Sequence, residues 1–537
     1  MRDIKNRKRR VSTVYLALVA VLVGVLVLTA CAGGNGEPPE ETKSITVVLS
    51  GSWENPGAMD PYQAYGAPFM TYDCSLWEGL CRRDVQTGEI VPCLATSWEI
   101  DPNWSYIDFF LREDITFHNG DPMTAEDVKF TFERAMHPGF VVGTPMLMFV
   151  DSVNIIHDYH VRVDCIMPFW DILDICSAVL PIVPKDYIEK VGDDGFAQNP
   201  VGTGPFKIIS WEYENYVRME AVEDHWRQTP NYDELEIKTV SEVTLALLET
   251  GEVDLTWVMA ADLSTAEANP DITVGMNEQV WLETLVFHDL RQPVLEGSPW
   301  LDARVRQAAS RAINRSDICT EVSFGTQVPW GNFLAEYHPG FEARAPDPYD
   351  PDLAIALLCD VAGVSYPPGD RPYPWESWAW GDFTGFVTAD AVYDAMLADL
   401  HSVGIMVNPV GLEAGTWGAE FTQGHLRGIS TAPGPYWVGL TSPILALLPH
   451  TLDAWGPCYR TYPEVQIAFL GMVYTTTDED RAQKTREFED LLFALGCRVP
   501  LWYRNVYYGY RNDTVQSYQS SPNQVAIRDF EYLVYKE

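Results

Sequence analysis

Three groups of residues have the types and spacing that chemistry requires. Gly202-Thr203-Gly204-Pro205 begins like a phosphate-binding loop, in which backbone N–H groups cradle an anion. His157 and His160, with Asp158 between them, have the spacing of a metal pair. The 76 Asp and Glu residues could furnish the two carboxylates of a glycoside hydrolase. None of the three is completed by its surroundings. No third glycine follows Gly204, and Pro205-Phe206-Lys207-Ile208-Ile209 resumes a strand pattern where a nucleotide loop would open a helix. The histidines fall in a polar turn before Val161-Arg162-Val163 and read as surface residues. No spacing singles out one carboxylate pair, and neither a Gly-x-Ser-x-Gly elbow nor a His-Glu-x-x-His helix occurs. The sequence predicts no catalytic residue, no metal and no cofactor.

Binding chemistry is better supplied. Trp375, Trp378, Trp380, Trp417, Tyr436, Trp437 and Trp455 crowd one stretch, and Tyr62, Tyr65, Phe69, Tyr72 and Trp77 another. Flat rings with a polar edge suit sugar faces, cations and aromatic ligands. Most such rings pack in cores, but segments 372–386 and 433–437 are rich in Gly and Pro and lack core periodicity. They are expected to be exposed loops, where binding residues concentrate.

Nine cysteines follow Cys31, and none forms a Cys-x-x-Cys pair, which argues against structural zinc and a thioredoxin-like motif. The spacings of Cys74 with Cys81 and of Cys165 with Cys176 permit disulfides, and an odd count leaves at least one thiol unpaired within the body.

The elements that must position these residues are mixed. Ile45 to Leu49, Tyr106 to Leu111 and Trp281 to Phe287 are strand-length β-branched or aromatic runs. Val305, Ala308, Ala309, Ala312 and Ile313 make a helical stripe behind Asp302 as N-cap. Val392, Met396, Leu400 and Val403 make a second, and Phe488, Leu491, Leu492 and Leu495, ended by Gly496, a third. Thr124 opens a fourth with Val128, Phe132, Ala135 and Met136 on one face. Irregular alternation of strands and helices suits several α/β lobes better than an eightfold barrel.

The chain is 537 residues long with a formal net charge of −40, enough for three or four folding units and unsuited to nucleic acid, which needs a basic stripe. Charge is unevenly placed. Residues 1–30 hold Arg2, Lys5, Arg7, Lys8, Arg9 and Arg10 against Asp3 alone, followed by the apolar run Val11 to Leu28. That order reads as an export signal. Leu28-Thr29-Ala30-Cys31 resembles the lipobox of bacterial lipoproteins, which implies a signal over 1–30 cut before a lipidated Cys31. The Gly-, Pro- and acid-rich residues that follow make 31–43 a flexible tether. The expected location is outside the cell membrane, lipid-anchored or periplasmic.

An ordered set of short motifs carries a second resemblance. Met59-Asp60-Pro61, Leu76-Trp77-Glu78-Gly79-Leu80, Pro92 to Glu99, Phe110 to Gly120 and Thr124 to Val128 come first. Val201 to Lys207, Gly251 to Leu255, Asp302 to Ala308 with Ala312-Ile313-Asn314-Arg315, and Val499-Pro500-Leu501-Trp502-Tyr503 follow. Together they resemble family 5 extracellular solute-binding proteins, the peptide- and nickel-type binding components of ABC importers. The motifs themselves read as fold markers. The resemblance implies a bilobed periplasmic-binding-protein-like α/β fold, type II, of the large cluster with an extra small domain, its lobes joined by a hinge. It places lobe I at 44–60, 200–290 and 490–537, the small domain at 61–199 and lobe II at 291–489. It further implies a monomer that captures a peptide or small solute by lobe closure and hands it to a permease with its ATPase subunits, without turnover.

Peptide binders of this family carry a Trp-x-x-Asp-Tyr-like segment whose aspartate holds the α-amino group; here the matching stretch is Tyr436-Trp437-Val438-Gly439, with Gly439 at the aspartate's position. A buried ammonium left without its countercharge costs about 3–5 kcal/mol. The expected ligand is thus a peptide or short oligosaccharide held mainly by stacking, with Trp77, Trp417, Tyr436 and Trp437 as candidate contacts. A glycosidase and a permease-independent surface receptor are the alternatives.

Overall fold

The computed structural model describes residues 42–537 except 51–58, 64–74, 138–146, 214, 241–242, 244, 292–293, 368–372, 387–390, 413–415, 417–419, 421–424, 434–461 and 521–526. Its strands in chain order are β1 (Ser44–Ser50), β2 (Cys81–Arg83), β3 (Ile90–Pro92), β4 (Ala95–Ile100), β5 (Tyr106–Leu111), β6 (Val150–His157), β7 (His160–Cys165), β8 (Phe206–Glu212), β9 (Tyr216–Ala221) and β10 (Glu234–Val240). They continue as β11 (Leu255–Val258), β12 (Ile272–Phe287), β13 (Gln327–Pro329), β14 (Asp382–Phe386), β15 (Asn408–Leu412), β16 (Ile429–Pro433), β17 (Arg498–Arg511), β18 (Val515–Ser517) and β19 (Val534–Tyr535).

Most of these strands join one mixed sheet of eleven, ordered β15-β14-β16-β12-β17-β11-β1-β10-β9-β8, with β13 also on β17. A separate four-stranded antiparallel sheet, β4-β5-β7-β6, uses residues 95–165 only. β1 pairs with β10 and β11 in parallel, and its Ile45, Val47, Val48 and Leu49 are all buried. A strand covered on both faces reads as a continuous apolar run, which is what Ile45 to Leu49 shows.

The helices start and stop where side chains satisfy their ends. Thr124 and Asp127 form a reciprocal capping box on Ala125–Ala135. Asp302 accepts from Arg304 N to open Ala303–Ala312, whose Val305, Ala308, Ala309 and Ala312 are buried. Thr477 caps Asp478–Leu495, and Gly496 ends it at a positive φ of 58°.

The marker motifs prove to be contacts between distant segments. Asp60 is fully buried and accepts from both terminal nitrogens of Arg134, at 3.1 and 2.5 Å, as well as from Tyr62 N and Gln63 Nε2. His118 N donates to Gly202 O at 2.8 Å, and the ring takes Gly202 N at 3.3 Å on Nδ1 and lies 2.9 Å from Gly204 O through Nε2. Gly202 and Gly204 permit this because their backbone runs against Ser75 and Leu76. A Cβ on Gly202 would lie 2.0 Å from Leu76 O, and one on Gly204 2.4 Å from Ser75 O. Their smallness serves close docking of this loop onto Ser75 and Leu76.

Two further expectations change. His157 is exposed as expected, but His160 is half-buried, its Nε2 3.1 Å from buried Asp108, which a bidentate Arg162 also grips from the paired strand. Segment 372–386 is partly core: Trp375 and Trp380 are 0% and 1% exposed, with indole N–H groups donating to Val403 O and Trp375 O. Pro and Gly disguise this stretch because its burial comes from single large rings instead of a periodic stripe.

Cys81, Cys93, Cys165, Cys176, Cys319 and Cys359 are free thiols, so neither close spacing closes a bridge. Cys497 is disulfide-bonded, to a partner outside the described residues. Burial pushes the Cys81, Cys93 and Cys176 thiols well up from their ordinary value.

Two measurements probe this packing. Gly202→Ala should lower the melting temperature by several degrees, since backbone must shift to admit the methyl and overpacking costs about 1–3 kcal/mol. An unchanged midpoint would show that the docked loop yields freely. Burial, aided by the positive charges of Arg498, Arg291 and Arg427, lowers the His288 pKa to about 3. A base depressed in the fold contributes stability that is complete above its unfolded pKa of about 6.5 and is lost as pH falls towards 3, by ~1.4 kcal/mol per pH unit. Buried Glu489 and Asp127, whose carboxyls burial raises, act in the opposite sense. The difference between wild type and His288→Gln isolates the histidine: the variant should lose less stability between pH 7 and 5, by thermal melts across that range.

Candidate functional site

β12 has 16 residues and β17 has 14. At ~3.3 Å per residue β12 spans roughly 50 Å, several times the length of most strands here. The two are antiparallel throughout, from Ile272 opposite Arg511 to Val286 opposite Arg498. At one end Tyr507 to Tyr510 also pair with β11, which leads on to β1, β10, β9 and β8. At the other end Glu283 to Phe287 pair with β16, which leads on to β14 and β15. Only this ladder runs through both halves of the sheet among the described residues.

The ladder is interrupted where the halves meet. Asn277 faces Val506 and Trp281 faces Arg504, so three residues of β12 stand against one of β17. A second shift follows between Glu283 and Thr284. Bulges bend a strand and re-aim its side chains, and they gather beside binding sites. β16 ends at Pro433, opposite Glu283 and three residues before Tyr436.

Of the sequence-derived contacts only Trp77 falls within the described residues. Trp417, Tyr436, Trp437, Gly439 and the lipobox Cys31 lie outside the described residues. Trp77 is 1% exposed, its indole N–H donates to Val201 O at 3.0 Å and its ring lies 6.4 Å from Phe196. In this conformation it packs and offers no face to a ligand. Beside it lies a cavity of ≈ 50 Å³ lined by Glu78, Arg82, Arg227, Arg528 and Asp529 among others. Space for about a water or two, bounded by paired charges, makes this a buried ionic knot. Glu78 takes Arg227 Nε at 2.8 Å and Trp226 Nε1 at 3.1 Å, while Arg227 also reaches Glu531 at 2.5 Å.

A separate contact joins the neighbourhood of the small sheet to the helix Asp478–Leu495. Trp170 Nε1 donates to Thr475 O at 2.8 Å, and the Arg481 guanidinium sits 3.7 Å from the centroid of the same ring. Arg481 is held by Asp478 at 2.5 Å and is 9% exposed. Trp104 also packs on Trp170, with ring centroids 4.3 Å apart.

Sequence reasoning took Trp281 to Phe287 as a strand and Val499 to Tyr503 as a marker, and so missed Trp281, Glu283, Trp502 and Arg504 as a group. The available signal was a period of two. Polar-edged residues at 281, 283, 502 and 504 alternate with Leu282 and Tyr503, and register puts the four on one face of the sheet. Among the described residues no group of three or more His, Cys, Asp or Glu side chains is placed to hold a metal ion, and no helix is long and apolar enough to cross a membrane.

Comparison with known proteins agrees with this architecture. Residues 89–439 match the model of the bacterial extracellular solute-binding proteins, family 5 middle region. The glutathione-binding protein of Pectobacterium atrosepticum is 24% identical over 457 residues, which cover 81% of this chain and 83% of the relative. The dipeptide-binding protein of Pseudoalteromonas sp. SM9913, solved in complex with Met-Leu, superposes with a TM-score of 0.77 at 21% identity, covering 92% of this chain and all of the other. A protein of A. tumefaciens R10 in complex with mannopinic acid gives 0.77 at 19% identity, covering 93% and 100%. The long ladder, the mixed sheet and the small antiparallel sheet are thus those of a bilobed periplasmic-binding-protein fold, and the chain belongs to family 5 of the bacterial extracellular solute-binding proteins.

Proposed function

We propose that this protein is the ligand-capturing component of an ABC importer, exported and held outside the membrane by lipid on Cys31. It binds a short peptide or amino-acid conjugate between two lobes and delivers it to a permease. The observation that carries this reading is the single bulged ladder of β12 and β17 joining the two halves of the sheet. Two strands with a break in register are easily bent, and hinge closure needs a few such positions between rigid bodies.

The same proposal divides the chain into three domains. Lobe I takes 44–60, 200–290 and 490–537, the small domain 61–199 and lobe II 291–489. The four-stranded sheet then belongs wholly to the small domain, and β13 to β16 to lobe II. Under that division the Trp170 contact to Thr475 and Arg481 bridges the small domain and lobe II, and we assign it as a closing clasp. Ligand contacts fall to Trp417, Tyr436 and Trp437, with Gly439 removing the ammonium partner that peptide binders use. Relatives named for glutathione and dipeptides favour the peptide class. An oligosaccharide is favoured less, since Trp375 and Trp380 of the aromatic group that suggested it are spent in the core.

Mass spectrometry of ligand co-purified from native protein should recover one solute chemically unchanged; recovery of a cleaved product would indicate an enzyme. Trp437→Ala should weaken that ligand at least tenfold by titration calorimetry, and equal affinity would remove Trp437 from the site. If Trp170 and Arg481 clasp the closed form, Arg481→Leu should increase the radius of gyration of the ligand-free protein by X-ray scattering. It should also weaken binding by about 2- to 30-fold, from a cation–π contact of about 0.5–2 kcal/mol. A variant with unchanged dimensions and affinity would make the contact mere packing.

A further inference from the structure

Unspent hydrogen-bonding atoms collect on one face of the junction between the halves. Register places Trp281, Arg504 and Gln327 in one row across β12, β17 and β13, and Glu283, Trp502 and Pro329 in the next row but one. Partners in antiparallel pairs share a face, as do residues two apart, so all six side chains project the same way. Trp281 Nε1, Trp502 Nε1, Arg504 Nε and Gln327 Oε1 are each buried without a hydrogen-bond partner.

Such atoms are rare in folded proteins because each forfeits its hydration for nothing, and four in adjoining rows call for an explanation. Trp502 is 0% exposed, whereas the Arg504 side chain is 40% exposed, so the cluster runs from the interior to an accessible edge. The donor set has a definite chemical preference. An indole N–H can only donate, a guanidinium only donates, and a half-turn of the Gln327 amide offers its NH2 as a further donor. Glu283, 4% exposed with Oε2 3.5 Å from Arg504, balances the guanidinium without occupying its Nε. The bulges on either side of Trp281 and Glu283 aim this set at the place where the halves meet.

We propose that Trp281, Trp502 and Arg504 form a subsite for a carboxylate of the transported solute. The subsite rests on the solute-binding reading above and names the part of the ligand that the sheet itself recognises. Two indole N–H groups and a guanidinium edge on one face suit an acceptor with several lone pairs, and charge-assisted bonds of that kind are the stronger class. Tethering the carboxylate to β12 and β17 also ties binding to the two strands that must bend on closure, so an occupied subsite favours one hinge angle.

The test uses full-length protein and three probe sets in a thermal-shift assay: a dipeptide library, the same library as C-terminal amides, and neutral oligosaccharides. The free-acid library should raise the melting temperature and the amide library should do so at most half as much. The best free-acid dipeptide is then titrated calorimetrically against Arg504→Gln and Trp281→Phe, variants at accessible positions whose ligand-free melts report folding. Each should bind the acid at least tenfold more weakly while affinity for the matching amide moves less than twofold. Equal binding of acids and amides, equal losses for both in the variants, or binding of oligosaccharides alone would overturn the subsite and leave the solute-binding function standing. A protein that no probe stabilises would overturn both.

Discussion

The backbone ladder between β12 and β17 is the constraint on which the rest of the molecule depends. Every other strand of the large sheet sits at one end of it or the other, β11, β1, β10, β9 and β8 beside its 272–277 end and β16, β14, β15 and β13 beside its 281–287 end. A continuous, evenly paired ladder would make one stiff plate. Interrupting it at residues 278–280 divides the plate while leaving it covalently and hydrogen-bonded in one piece. A chain that must bind and release a solute needs such a compromise between rigid recognition surfaces and a compliant join.

Around the ladder, the halves are kept stiff by buried ionic knots. Asp60 with Arg134, and Glu78 with Arg227 and Glu531, tie segments of chain between 74 and 304 residues apart. Buried ion pairs contribute little net stability compared with apolar packing, but each is satisfied by one geometry only. Their gain here is definition of position. The docking of His118 against Gly202 and Gly204 works similarly, since it admits no side chain at either glycine.

Much of this was legible in the residues. The helices 125–135, 303–312 and 478–495 carry caps and stripes that local rules recognise, and β1 and β5 match the apolar runs read for them. The marker motifs identified the family because they are rare in combination, although nothing in Met59-Asp60-Pro61 says that Asp60 meets an arginine 74 residues away. What failed to show is physical in origin. Core burial by isolated tryptophans leaves no period, so 375 and 380 looked like loop. The face shared by Trp281 and Arg504 exists only once two strands more than 200 residues apart adopt their register. Ligand contacts read from 417, 436 and 437 rest on a segment the described structure does not include.

The buried thiols have a consequence for the chain before it is folded. Cys81, Cys93 and Cys176 are sealed in the interior, where the reactive thiolate hardly forms. In the extended chain the same sulfurs stand open to oxidants and compete with the partner that Cys497 must find. A member of an extracellular family meets oxidising surroundings at that stage, so correct pairing becomes a race. Folding takes Cys81, Cys93 and Cys176 out of that competition, because the native interior closes over them. The fold that buries these thiols is therefore also what keeps them from competing for the bond that Cys497 makes.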